Sequence, residues 1–146
     1  MDNVTIFEVA EVRDEYVTAI VRLLAQLSTS QHVFTHDTLQ KLVECDTTHL
    51  FLLQVDGVIG GMITLCSTLS PTGCKMWVED VVVDEALRGR SLGRRLVEHA
   101  IEYASNCGKV ALMLTSRPSR EAANALYRSA GFSLRETNVY KMNLPQ

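Results

Sequence analysis

Several signals that would sort a chain quickly are missing. No apolar run approaches the roughly 20 residues of a membrane span, and the opening Met1-Asp2-Asn3 shows no basic stretch leading into an apolar one. Neither a membrane association nor a signal peptide is expected. No low-complexity stretch, internal repeat or Gly/Ser/Pro-rich linker divides the 146 residues, so a single domain, 1–146, with a real core is expected. The four cysteines, Cys45, Cys66, Cys74 and Cys107, form no CxxC pair and no zinc-finger spacing with histidine. That pattern fits free thiols in a reducing compartment, hence a cytoplasmic protein. Cys66 and Cys107 lie in apolar, regular-looking segments where buried thiols are common. His32, His36, His49 and His99 show no metal-ligand spacing, so no metal is expected, and His99 is expected on the polar side of its helix. Basic charge is not in excess either: Lys and Arg number 14 against 17 Asp and Glu, a net charge of -3. Domains that bind nucleic acid usually carry the opposite balance.

What is present is ordinary globular composition, 47% hydrophobic and 21% charged, with clear periodicities. Val4–Val9 alternates and predicts a strand. Tyr16, Ile20, Leu23, Leu24 and Leu27 recur at helical spacing, and Asp37–Glu44 reads as a shorter helix. Phe51–Val55 and Val58–Thr68 are strands joined by Asp56-Gly57, a tight-turn pair. Lys75–Val83 is a strand ending in three valines, a pattern of strands buried on both faces. A helix follows over Ser91–Asn106, then a short strand, Val110–Leu114. Pro118 and Ser119 open a helix ending before Gly131, and Asn138–Leu144 alternates as a final strand. The order predicts an α/β domain with a mixed sheet and helices on both faces.

The most informative stretch is Val78-Glu79-Asp80-Val81-Val82-Val83 and the turn through Arg88-Gly89-Arg90-Ser91-Leu92-Gly93. A buried strand feeds a turn that opens directly into an amphipathic helix, where backbone N–H groups converge on an anion. Gly89 and Gly93 remove side chains where a phosphate must approach. Arg88, Arg90 and Arg94 add positive charge at a helix start, where the macrodipole disfavours each by a few tenths to ~1 kcal/mol unless an anion is bound. Neither the dinucleotide fingerprint GxGxxG nor the P-loop GxxxxGK[ST] occurs. The segment reads as a pyrophosphate cradle of another kind.

That segment resembles the acetyl-CoA-binding motif of the GNAT superfamily of N-acetyltransferases, R/Q-x-x-G-x-G/A after a valine-rich strand. Arg88, Ser91 and Gly93 occupy its marked positions, with Ser91 where the family has glycine. Ala123, Leu126-Tyr127 and Gly131-Phe132 resemble the family's N-x-x-A-x-x-L-Y-x-x-x-G-F; Arg120 stands at the Asn position, and Asn124 lies one helical turn on. EDVVV followed by RGxxLG is similar in particular to glucosamine-6-phosphate N-acetyltransferases.

The resemblance implies a mixed, mostly antiparallel sheet whose central strands splay to admit acetyl-CoA as co-substrate. It implies that backbone groups of Val81, Val82 and Val83 bond the pantetheine arm, that Arg88 through Arg94 hold the diphosphate, and that Asn124 and Tyr127 contact the coenzyme. Glu79 is the candidate base for a primary amine, directly or through water, and Tyr127 the candidate acid for the departing thiolate. In regular strand geometry Glu79 and Asp80 face opposite sides, so one of them faces the cleft. The implied activity is N-acetylation of an amine acceptor that the sequence does not name. The alternatives are a glucosamine-6-phosphate N-acetyltransferase and a non-catalytic acyl-CoA-binding module. An open edge near the C-terminal strand would suit a homodimer.

Overall fold

Asp56 and Gly57 both take positive φ, 51° and 84°, the conformation a two-residue hairpin loop requires. They turn β2 (Thr48–Val55) into β3 (Val58–Ser70), which returns through Gly73, at φ 122°, into β4 (Gly73–Val83). With β1 (Val4–Glu8) paired to β2, these four strands run antiparallel. Helix α3 (Leu92–Asn106) then crosses over to β5 (Ala111–Met113), which lies parallel to β4 and completes a sheet in the order β1-β2-β3-β4-β5. Helices α1 (Asp14–Leu27) and α2 (His36–Glu44) connect β1 to β2. The computed structural model describes residues 3–28 and 30–145.

Strand alternation divides the core between two faces. Leu50 and Leu52 join Met62 beneath Tyr16, Ile20 and Leu23 of α1. Phe51 and Leu53 join Ile63 and Leu65 against Leu92, Leu96 and Ala100 of α3. Both helices present the i, i+4 spacing that a sheet face needs. Each such Leu or Ile removed from water contributes about 1.5–3 kcal/mol. A capping box between Thr35 and Thr38 starts α2, satisfying amides the helix cannot.

Contacts divide the chain into two compact units, Met1–Thr115 and Ser116–Gln146. The sheet, α1, α2 and α3 belong to the first. The second contains α4 (Glu121–Ser129), which ends on Gly131 at φ 110°. Helix α4 starts later than Pro118-Ser119 suggests, because residues 117–120 form a turn closed by Arg120 N–H donating to Arg117 O at 3.0 Å.

The expected final strand is not formed: residues 138–144 have no regular structure. Val139, Tyr140, Met142 and Leu144 are all exposed. Alternation selects a strand only when a neighbour's backbone supplies hydrogen-bond partners. Cys107, expected in an apolar setting, is an exposed C-cap of α3. No helix among the described residues is long and apolar enough to cross a membrane.

Candidate functional site

Strand β4 is paired on both sides only in its first half. β5 meets it at Lys75↔Ala111, Met76↔Leu112 and Trp77↔Met113. β5 ends there, while β4 continues to Val83 paired, among the described residues, to β3 alone. The edge from Val78 to Val83 therefore offers backbone N–H and C=O groups that β5 does not take, a slot for an extended chain to add as a strand.

A bulge interrupts the same stretch. Met62 faces Val82 and Thr64 faces Glu79, so Asp80 and Val81 together oppose Ile63. Asp80 sits at φ 50°, left-handed geometry that aspartate tolerates better than most residues. The inserted residue shifts the alternation by one. Met76 and Val78 before the bulge, and Val81 and Val83 after it, all pack on the α3 side, while Val82 packs on the α1 side. The expectation that Glu79 and Asp80 must face opposite sides rests on regular pleating, and the bulge removes it. Asp80 lines a cavity on the α1–α2 side, together with Thr64, Met62 and Leu50.

Asp80 acts on its neighbour Glu79. Burial, and then the neighbouring Asp80 charge, push the Glu79 carboxyl above its ordinary value. A carboxylate with a raised pKa is a stronger base, the direction that suits proton removal near neutrality.

Beyond Val83 the chain is anchored firmly before α3 begins. Asp84 N–H donates to Gly60 O at 2.8 Å, and Leu87 N–H to Asp84 O at 2.8 Å. From α1, Arg22 Nη2 donates to Ile59 O at 2.6 Å and its Nε to Asp84 Oδ2 at 3.2 Å. Gln26 Oε1 accepts from Glu85 N–H at 2.8 Å. The Asp84 carboxyl is held below its usual range, chiefly by the Ala86 N–H it accepts, with Arg22 adding to the effect. Leu87 packs directly over Gly60, where a Cβ would collide with it.

The cradle itself follows. Gly89 lies at φ 85° with open space where a Cβ would stand. Ser91 is the N-cap of α3 at φ 58°, ψ 26°, with no side-chain capping bond. The amides of Leu92 and Gly93 begin the helix and have no carbonyl one turn ahead of them. Arg88 and Arg90 are exposed on the turn, and Arg94 pairs with Glu98 at 3.3 Å. A positively charged helix start with an open glycine fits a diphosphate.

Of the residues singled out in the sequence, Glu79, Asp80, Val81–Val83 and Arg88–Arg94 are brought into one continuous run of the first unit. Asn124 and Tyr127 belong to the second. Asn124 Nδ2 donates to Arg117 O at 2.9 Å and Arg120 O at 2.7 Å, holding the turn before α4. The Tyr127 ring meets Phe132 edge-on, centroids 6.1 Å apart, and burial pushes its hydroxyl up, keeping it protonated. His99 departs from expectation: it faces inward, 4.6 Å from the Phe51 ring, with a buried Nε2 that has no hydrogen-bond partner. Burial lowers its pKa.

Sequence reasoning missed Arg22, Gln26 and the Gly60–Leu87 contact, which hold the cradle in place. It also missed the cavity under the loop between α1 and α2. The spacing of Arg22 and Gln26, four apart on α1, was the one local signal for the first two.

The sequence model of the acetyltransferase (GNAT) family matches residues 17–132. Over 54 residues the chain is 44% identical to ribosomal protein bS18-alanine N-acetyltransferase of Salmonella typhimurium, covering 37% of this chain and 36% of that one. Over 99 residues it is 30% identical to glucosamine 6-phosphate N-acetyltransferase 1 of Oryza sativa subsp. japonica, covering 64% and 58%. The matches thus span less than two thirds of these curated relatives. An aminoglycoside N-acetyltransferase, AAC(6')-Iy, solved in complex with CoA, has the same fold, with a TM-score of 0.78 at 14% identity over 98% of this chain and 96% of that one. With most of its length matched by the family's sequence pattern, the chain belongs to the acetyltransferase (GNAT) family.

Proposed function

We propose that the protein transfers the acetyl group of acetyl-CoA to a primary amine. The observation that carries this is the open half of β4 running directly into the anchored helix start: one extended slot, then one anion cradle. Their order matches a ligand with an amide-bearing arm attached to a diphosphate. Backbone groups of Val81–Val83 would hold the arm, and the turn from Arg88 to Arg94 the diphosphate. Bound there, acetyl-CoA supplies an activated thioester carbonyl.

The protein's own tasks are then three. Glu79 or Asp80 takes a proton from the acceptor ammonium, so that a neutral nitrogen is available to attack. The bulge turns backbone amides out of the ladder, offering a donor for developing negative charge. From the family motif in the second unit, we assign Tyr127, kept protonated, as the acid for the leaving sulfur and Asn124 as a coenzyme contact. We place the protein in the cytoplasm, a reducing compartment, in keeping with its free cysteines. Similarity to the glucosamine 6-phosphate enzymes favours an amino sugar phosphate as a second reading of the acceptor.

Calorimetric titration with acetyl-CoA, followed by assay of free thiol on adding amines, tests the proposal. Saturable binding and amine-dependent thiol release are expected. Gly89→Val forces a β-branched residue to φ 85° and fills the open approach. It is expected to weaken acetyl-CoA at least tenfold, about 1.4 kcal/mol. Unchanged affinity would remove the cradle from the site.

A further inference from the structure

The cavity beside Asp80 carries more than its position. It lies on the α1–α2 side of the sheet, roofed by the loop through His32 and Phe34, with a volume of about 270 Å³. Ligand pockets usually run ~300–1,000 Å³, so the part of a ligand that this half-open cavity encloses is small. The wall is mostly apolar: Leu24, Leu27, Phe34, Leu42, Leu50 and Met62 contribute to it. Among the described lining residues there is no lysine or arginine, and Asp80 is the sole carboxylate.

We infer that the acceptor is a small primary amine on an apolar body, with its ammonium against the Asp80 carboxylate. The inference rests on the acetyl-transfer function proposed above and specifies the acceptor within it. The bulge is what makes the site: the extra residue at φ 50° brings Asp80 to the α1–α2 side, on the strand segment whose edge is open to the coenzyme. One negative charge in an apolar wall matches one positive charge on an apolar molecule.

The competing acceptors fit poorly. A sugar phosphate would bring a dianion beside the Asp80 carboxylate to a wall whose basic side chain is His32, and several hydroxyls to a wall that offers them only Thr38, Thr64 and His32 besides that carboxylate. A polyamine would bring several charges to one carboxylate.

The chemistry balances. The bound ammonium loses one proton to the Asp80 carboxylate, which passes it to solvent. The neutral nitrogen attacks the thioester carbonyl carbon and forms the C–N bond. The C–S bond breaks, its electron pair stays on sulfur, and the second nitrogen proton ends on that thiolate. The products are the acetamide, coenzyme A thiol and one released proton.

The test compares 2-phenylethylamine, glucosamine 6-phosphate, spermidine and an alanine-initiated peptide as acceptors, after acetyl-CoA binding has been measured separately. 2-Phenylethylamine is expected to show a kcat/KM about 100-fold above each of the others, the scale on which an apolar pocket discriminates substrates. Asp80→Asn keeps a residue that tolerates left-handed geometry. It is expected to raise the amine KM at least tenfold while acetyl-CoA affinity stays unchanged. No transfer to 2-phenylethylamine, a preference for any of the other three, or an unchanged KM in the variant overturns the assignment. If acetyl-CoA itself does not bind, the acetyl-transfer function falls first and takes this acceptor with it.

Discussion

Gly73–Val78, the first half of β4, has β3 on one side and three residues of β5 on the other, and its Met76 and Val78 are buried. Glu79–Val83, the second half, pairs only with β3, carries a bulge with a residue at positive φ, and leads with two adjacent carboxylates. The same strand thus serves packing at one end and leaves hydrogen-bonding capacity and charge at the other. A carboxylate pair and an unpaired edge cost stability, and the first half, through Met76 and Val78 in the core beneath α3, offsets that cost. Local exceptions to good packing collect where a ligand is to be met.

Substitution in the two halves separates these roles. Met76 is fully buried, 0% exposed, and Met76→Ala is expected to lower the unfolding free energy by about 2–5 kcal/mol through lost burial and a residual cavity. Urea denaturation reads this directly. Asp80→Asn, in the open half, should stay within about 0.5 kcal/mol of the parent, as surface replacements do. Equal losses in the two variants would erase the division.

A smaller effect is expected just past the open half. Ser91 holds left-handed geometry at the start of α3 without a side-chain capping bond. Ser91→Gly relieves about 1–2 kcal/mol of backbone strain and adds about 0.5–1 kcal/mol of unfolded-chain entropy. The net gain expected is roughly 0.5–1 kcal/mol, visible as a higher urea midpoint with acetyl-CoA affinity no weaker. A loss of stability would mean that the serine side chain contributes something beyond its conformation.

Much of this arrangement is legible in the sequence, and what is not has a physical reason. Helical spacing in α1 and α3 and the Asp56-Gly57 turn are local patterns, and each predicts its element. The turn from Arg88 to Gly93 is legible because arginines at a helix start are locally unfavourable without an anion, and the glycines among them leave room for one. The bulge at Asp80 is not, since it arises from a count of residues between two strands far apart in sequence. Without it Glu79 and Asp80 look like alternating neighbours. The cavity is equally hidden, because Leu24, Phe34, Leu50 and Met62 each read as ordinary core. The alternation in 138–144 misleads for the opposite reason: the local pattern is present, but the structure provides no pairing there.

The mildest effect belongs to Glu79 and concerns pH. Its folded pKa is raised, by burial first and by Asp80 second, while in the unfolded chain it takes its ordinary value near 4.5. Between those two values the folded protein binds more protons than the unfolded one, so stability falls as pH rises through that window and is flat above it. Glu79→Gln cannot titrate and should lose that part of the slope, with its urea midpoint varying less than the parent's as pH rises from 4.5 into the raised range. The residue as a whole is exposed, so the burial behind the shift is partial and solvent screening keeps the difference small. The rate carries a second signature of opposite sign: if Glu79 shares in deprotonating the amine, thiol release in the parent rises with pH through the same window, and the Gln variant loses that limb. A variant that flattens stability but leaves the pH–rate limb intact would assign proton removal to Asp80 alone, drawing the functional boundary of β4 at the bulge itself rather than one residue before it.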